Sequence, residues 1–457
     1  MDLPSFFQPS TPETRFLYGL RRGKARLGLQ STRQLLRALG SPERDMPILQ
    51  VAGTNGKGST TALSAAILQA SGLRVGRFTS PHLLQVEERI SVDGVQIDSD
   101  TFARRVRDIR GPIERCGASF FEAMTGLAAL HFRDAGVDAA VFEVGLGGRL
   151  DSTTALPADV TVIASIGHDH EAILGHGVAA ICDEKLGIVR PGVPLHVAIE
   201  QADLVQRARA HCERLRAPFH PVPADVARVL ELDLWSGMLL ELTYPAPLRV
   251  WTRLLGRHQA RNTALAVAAS LDLAARIGRS ADLDVEAGCA HAFMPGRFQV
   301  LEPMAQEPVF ILDVAHNPES LHATLDVAEH VLRGRRVSVV LGMLRDKRFD
   351  GVVPRLPAVA TDLVLTQPTN ERAWDVHAAE TEVRSMPEAA GLRVTAIADV
   401  RAALDAACAA RPDVVLVLGS QYLLGEVVPI LAEQRGVSPH VLVSAPRIPD
   451  TKRRAVS

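Results

Sequence analysis

Apolar residues recur along this chain in two alternating rhythms, short unbroken runs and longer stretches in which they return once per helical turn. The first run, residues 48–52, reads as a buried strand, and residues 59–70 carry good helix formers up to a stop at Gly72. Residues 73–78 predict a second strand. Residues 88–92 and 95–97 flank Asp93-Gly94, a pair suited to the positive φ of a tight turn, and so predict a hairpin. Helices are expected over 99–116 and 120–135, strands over 138–144 and 160–166, and a helix over 178–189. A β-rich excursion near Pro245 and Pro247 leads to a helix over 261–275. Upstream, residues 11–39 read as a helical lead-in interrupted by Gly23 and by Leu27-Gly28-Leu29. At Pro295-Gly296 the alternation restarts, with strands over 309–313, 336–341, 363–365 and 414–418. Such alternation predicts an α/β protein. Its expected parts are a P-loop, doubly wound, mostly parallel sheet domain over residues 1–295 and a smaller Rossmann-like α/β C-terminal domain over 296–457.

Composition narrows the classes of function. A chain of 457 residues exceeds one ordinary core, and a hydrophobic fraction of 47% fits globular domains throughout, up to a polar tail from Pro449. The net charge of −2, with dispersed basic residues, gives no footprint for nucleic acid or an anionic membrane. Small-molecule chemistry is therefore expected, in a monomer. The first residues have neither a basic nor an apolar leader segment and no later run reaches the length of a membrane span, so a cytoplasmic protein is expected. The five cysteines are scattered without any Cys-x-x-Cys spacing, which predicts idle thiols and neither disulfides nor a cysteine zinc site.

The densest chemical signal is Gly53-Thr54-Asn55-Gly56-Lys57-Gly58-Ser59-Thr60, between the first strand and its helix. In such a turn glycines let the backbone approach phosphate oxygens, amide groups and the helix N-terminus face negative charge, Lys57 adds a cation, and Ser59 or Thr60 can reach a metal. The generic Walker pattern is not matched to the letter, because its first glycine is missing and Gly58 intervenes before the hydroxyl residue. A plain glycine-rich turn is the competing interpretation. Further along, Ser80, Glu143, His170 and Lys185 follow successive strands, where active-site loops sit in open α/β sheets. A lone Glu143 at the end of an apolar strand asks for a cation, since burying an unpaired carboxylate costs several kcal/mol as an order of magnitude. Oxygen and imidazole ligands beside a triphosphate suit magnesium. Taken singly, Ser80 is equally well a turn former, Glu143 a structural ion pair, His170 a loop histidine and Lys185 a solvated helix residue. In the second half, Asp313 and His316 flank a strand-to-helix turn that ends in Asn317-Pro318, for which an ordinary helix start with structural side chains is the competing interpretation.

Several long strings resemble one family when taken in order. They are Gly53 through Ser59, Ser80-Pro81-His82, Phe121-Glu122, Glu143 through Asp151, Asp169-His170, Glu184-Lys185, His258-Gln259 with Asn262, Pro295 through Phe298, and Asp313 with His316-Asn317-Pro318. Together they resemble the folylpolyglutamate synthase and dihydrofolate synthase branch of the Mur ligase superfamily, over nearly the whole chain. The resemblance implies ATP-dependent ligation of L-glutamate to dihydropteroate, to a reduced folate, or to both, through an acyl phosphate. It implies that Gly56, Lys57, Gly58 and Ser59 hold ATP phosphates and that Ser80, Glu143 and His170 bind magnesium. Lys185 matches a lysine that is carbamylated, and Asn262, Arg297 and Asp313 match further ATP contacts. Leu27, Gly28, Leu29, Phe121, Glu122, Thr125, Leu150, Asp151 and Ser152 correspond to the pterin or folate pocket. Arg89, His316 and Ser420 correspond to glutamate-binding positions. Two departures stand out: His168 replaces an apolar residue and offers a second histidine beside His170, and Val314 replaces a glycine. Alternatives are another Mur-type amino-acid ligase, for which a long UDP-binding domain ahead of the cradle is expected, and a P-loop ATPase switch that hydrolyses ATP without ligation.

Overall fold

The structure, a computed structural model, describes residues 11–20, 28–279, 283–304, 307–347, 349 and 351–444. Leu27, Gly23 and the tail from Pro449 lie outside the described residues.

The first sheet is built from β1 (Ile48–Ala52), β2 (Val75–Phe78), β3 (Ile90–Val92), β4 (Val95–Gln96), β5 (Ala139–Glu143), β6 (Val160–Ile163), β7 (Leu195–Val197) and β8 (Phe219–Pro221). Their spatial order is β4-β3-β2-β5-β1-β6-β7-β8, parallel throughout except for the antiparallel β2–β3 and β3–β4 pairs at one edge. Side chains alternate faces along a strand, so β1 sends Leu49 and Val51 into one apolar layer and Ile48 into another. Burial on both faces is why the run at 48–52 is continuously apolar. Its one polar member, Gln50, is buried and donates through Nε2 to Thr153 Oγ1 at 3.0 Å and Thr154 Oγ1 at 2.9 Å. Helices Lys57–Ala70 and Arg257–Arg276 cover one face, and Phe120–Ala135 covers the other, where Phe132 meets Phe142. The sheet is doubly wound.

The β-rich excursion is a separate antiparallel sheet of β9 (Ala227–Asp233), β10 (Gly237–Leu242) and β11 (Leu248–Thr252). A third sheet joins β12 (Gln299–Leu301), β13 (Val309–Asp313), β14 (Val337–Leu341), β15 (Asp362–Leu365), β16 (Arg393–Ala396) and β17 (Val414–Leu418) in the order β12-β13-β17-β14-β15-β16. All its pairs are parallel except β12–β13. Fully buried strands such as β17, with all five residues inside, account for the unbroken apolar runs of this half.

Several element boundaries differ from expectation for local reasons. The cradle helix begins at Lys57, two positions before Ser59, because Gly56 at φ +81° takes the N-cap position. Glu88 and Arg89, expected in a strand, form the end of a 3₁₀ turn, Val86–Arg89. Glu88 there spends both carboxylate oxygens on the amides of Leu83, Leu84 and Gln85, which bends the chain before β3 can start. The five thiols are free, and burial pushes Cys289 up to about 12 and Cys182, Cys212 and Cys408 up to about 11, so they stay protonated. No helix among the described residues is long and apolar enough to cross a membrane.

Candidate active site

A cleft of about 1100 Å³ opens where the C-terminal ends of β1, β5 and β6 face the C-terminal end of β13 and the start of the helix Gln421–Arg435. Its floor is the cradle. Gly56 has room for nothing more than hydrogen, since a Cβ there would lie 2.5 Å from Asn262 Oδ1. Asn262 is itself fixed by donating to Gln259 Oε1 at 2.9 Å, so the long helix Arg257–Arg276 is keyed against the phosphate turn. Lys57 Nζ turns back and donates to the carbonyls of Gly53 at 2.9 Å and Thr54 at 3.0 Å. Burial lowers its pKa, and the charges of Glu143 and Asp169 oppose that shift.

Glu143 closes β5 and is 2% exposed. Burial raises its carboxyl pKa, while the Lys57 charge and the Ser80 amide, which donates to Oε2 at 3.0 Å, pull it down. Lys185 is 3% exposed and donates to the same Gly53 carbonyl at 2.8 Å. Burial first, and repulsion from Lys57 second, bring its pKa down to about 7. An amine so tuned is substantially neutral near physiological pH. Gly148 holds the Lys185 helix close, for a Cβ there would meet the Glu184 carbonyl at 2.6 Å.

His170 lines the cleft, whereas the exposed His168 is turned to Glu171, its Nδ1 2.5 Å from Oε1. Asp169, between them, is 11% exposed in its side chain and receives Lys347 Nζ at 2.6 Å from the other half of the chain. Burial alone would raise the Asp169 pKa, but His316 and Lys347 outweigh it and hold the carboxyl far below the usual range. Asp313 is buried at the end of β13, accepting from the Phe298 amide at 2.7 Å and the Ala315 amide at 2.8 Å, with its pKa raised by burial against the pull of Arg297. His316 donates through Nδ1 to the Val314 carbonyl at 2.8 Å, which leaves Nε2 facing Asp169 Oδ2 at 3.8 Å. Ser420 caps the helix Gln421–Arg435 by accepting from Leu423 N at 3.1 Å.

The cleft thus brings together Gly56, Lys57, Gly58, Ser59, Ser80, Glu143, His170, Lys185, Asn262, Arg297, Asp313, His316 and Ser420. A second group lies behind its Gly145-Leu146 wall: the Phe121 ring packs on Gly145, and Thr125 and Ser152 hydroxyls meet at 2.5 Å. Asp151 accepts from the Gly145 and Leu146 amides at 3.0 Å each, and Glu122 takes the Ser119 amide and the Thr32 hydroxyl. Leu150 is partly buried in that loop, and Gly28 lies in the lead-in with nothing within 4 Å of a Cβ. Arg89 stands apart, buried outside the cleft with Nε donating to His82 Nδ1 at 2.9 Å and the guanidinium over the Phe120 ring. Sequence reasoning missed Lys347, Asn317 and Glu319 as cross-cleft groups. Asn317 Nδ2 lies 3.1 Å from Asn55 Oδ1, and Asn55 Nδ2 donates to Glu319 Oε2 at 3.0 Å. Lys347 sits in a charged run that reads as a solvated surface, and only its distant partner marks it out.

Family models agree with this geometry. The Mur ligase middle domain matches residues 51–270, and the Mur ligase glutamate ligase domain matches 296–421. A dihydrofolate synthase/folylpolyglutamate synthase from Bacillus subtilis is 34% identical over 357 residues, covering 76% of this chain and 82% of that protein. The chain belongs to the dihydrofolate synthase/folylpolyglutamate synthase family of Mur ligases. As a member of this family it is an ATP-dependent ligase. Mycobacterium tuberculosis folylpolyglutamate synthase complexed with ADP superposes with a TM-score of 0.82 at 30% identity, over 92% of this chain and 98% of that one. The bifunctional synthase of Yersinia pestis, complexed with AMPPNP and a manganese ion, gives 0.76 at 28% identity, over 94% of this chain and 100% of that one.

Proposed function

We propose that this ligase joins L-glutamate to the carboxylate of dihydropteroate, of a reduced folate, or of both, at the expense of ATP. The observation that carries the proposal is the convergence in one cleft of a phosphate cradle, a buried carboxylate and a near-neutral lysine with Asp313 and His316 from the other sheet. A carboxylate is a poor acyl donor. Transfer of the γ-phosphoryl group gives an acyl phosphate, the glutamate amine attacks its carbonyl carbon, and the C–O bond to phosphate breaks as the amide forms.

Gly56 through Ser59 present backbone amides and the helix N-terminus to the phosphates, and Lys57 exchanges its two carbonyl contacts for phosphate oxygens. Ser80, Glu143 and His170 form an oxygen-and-imidazole donor set that fits magnesium or manganese, and the buried Glu143 gains the cation its burial calls for. Magnesium held there would neutralise charge on the phosphate oxygens. Lys185, neutral above about pH 7, can add carbon dioxide to give a carbamate and a released proton, turning a neutral amine into an anionic oxygen donor beside that donor set. Asn262, Arg297 and Asp313 hold the nucleotide, His316 and Ser420 hold the incoming amino acid, and the group around Phe121, Thr125, Asp151 and Ser152 holds the pterin. Residues 1–295 and 296–457 then act as two domains, one bearing phosphates and the other closing over them, which excludes water from the acyl phosphate.

The test is ADP release with dihydropteroate and with tetrahydrofolate, each with and without L-glutamate. ADP is expected to appear one for one with amide and only when both substrates are present. A switch-type ATPase would release it at the same rate without them.

A further inference from the structure

Toward the edge of the first sheet, β7 and β8 run parallel with His196 in register with His220. In-register neighbours project from the same face. The two imidazoles accordingly stack, with ring centroids 4.8 Å apart and planes 20° apart. Leu195 and Val197, on either side of His196, point into the apolar cluster on the opposite face, so the histidines face the helix Arg257–Arg276. That helix supplies Asp272, whose Oδ2 lies 3.1 Å from His196 Nε2. One potential ligand atom from each of the three residues falls within 4.8 Å of the other two.

His196 is 4% exposed, and Nε2, the nitrogen turned to Asp272, is its one hydrogen-bonded ring atom among the described residues. None of the three residues lines the ligase cleft. We propose that His196, His220 and Asp272 form a binding site for one divalent transition-metal ion of the zinc class, which ties the sheet edge to the helix carrying Gln259 and Asn262.

The donor set selects the ion. Two imidazoles and one carboxylate suit zinc, cobalt or nickel, whereas magnesium prefers oxygen donors and keeps its waters. Bonds of about 2.0–2.1 Å to zinc require ligand atoms roughly 3.3 Å apart. The His196–Asp272 pair already meets that spacing, and His220, partly buried on an edge strand, has to swing inward by up to about 1.5 Å. Arg276 Nε sits 3.4 Å from Asp272 Oδ1, so it occupies the other carboxylate oxygen and leaves Oδ2 to the ion.

The experiment is a titration of the purified full-length chain with Co²⁺ in excess Mg²⁺, which fills oxygen-rich sites, read by visible absorption and by the thermal midpoint. One equivalent of Co²⁺ is expected to give ligand-field bands and raise the midpoint. Zn²⁺ is expected to displace it and abolish the bands. His220→Gln and Asp272→Asn are each expected to weaken Co²⁺ binding at least tenfold, while Glu143→Gln keeps the bands. Circular dichroism and an unchanged metal-free midpoint for His220→Gln separate lost binding from lost folding. Absence of bands up to millimolar Co²⁺, or bands that survive His220→Gln in a folded protein, overturns the proposal.

Discussion

On the N-terminal wall of the cleft, Glu143 and Lys185 are 2% and 3% exposed and Lys57 and Lys185 converge on one carbonyl, so charge is stored in a desolvated, prearranged cluster. Among the described residues the C-terminal wall has one comparable buried charge, Asp313. His316, Asn317, Glu319 and Lys347 reach the opposite wall from this side through polar contacts such as Lys347 to Asp169 at 2.6 Å and Asn317 to Asn55 at 3.1 Å. The contrast separates two jobs. In the function proposed above, buried charges that cannot relax suit electrostatic work on phosphates, whereas more exposed polar contacts suit a wall that closes on substrate and releases product.

Substitutions test that contrast by size of effect. Lys57→Ala, which removes a cation from the stored cluster, is expected to reduce ADP release by at least about 10²–10³-fold with the circular dichroism spectrum unchanged. Near-normal turnover in a folded variant would place the phosphates elsewhere. Lys185→Ala is expected to lose about 10²-fold, with partial rescue by acetate or bicarbonate standing in for the missing carboxylate. The pH dependence has a definite sign. Lys185 titrates at about 7, and only its neutral form takes up carbon dioxide. Bicarbonate-driven recovery of stripped enzyme, followed by intact mass, is therefore expected to rise as pH increases through about 7 and to fail well below it.

On the closing wall the effects are smaller and of another kind. His316→Ala is expected to raise the KM for glutamate about tenfold, the loss of one hydrogen bond to a charged group at ~1.4 kcal/mol. Lys347→Ala removes one of the partners that hold Asp169 ionised and leaves His316 in place. A drop of about fivefold in kcat/KM is expected, ~1 kcal/mol, near the upper end for ion pairs that keep some solvent contact. A Lys347 effect as large as that of Lys57 would erase the distinction between the walls.

What the sequence revealed follows the same division. Helices Ser99–Cys116 and Phe120–Ala135 match their expected spans because their ends are written locally, with Asp98 and Ser119 accepting amide bonds at the N-termini and Gly117 and Gly136 stopping them. The glycine turn and the strand-end residues were legible because strand, turn and helix adjoin in sequence. The Lys347–Asp169 pair joins residues 178 positions apart, and no local rhythm encodes it. Arg89, matched by resemblance to a glutamate-binding position, lies outside the cleft with His82 and Phe120 around it, contacts that no local pattern announces. The His196–His220 pair was hidden for a third reason, since it depends on the register of two short edge strands.

Calorimetric titration of a nonhydrolysable ATP analogue into wild type, Lys57→Ala and His316→Ala tests the division between walls most directly. Nucleotide affinity is expected to fall by at least tenfold in Lys57→Ala and to stay within about twofold of wild type in His316→Ala. Severe loss of nucleotide binding in His316→Ala, with glutamate saturation unchanged, would put His316 in the nucleotide site and contradict the account.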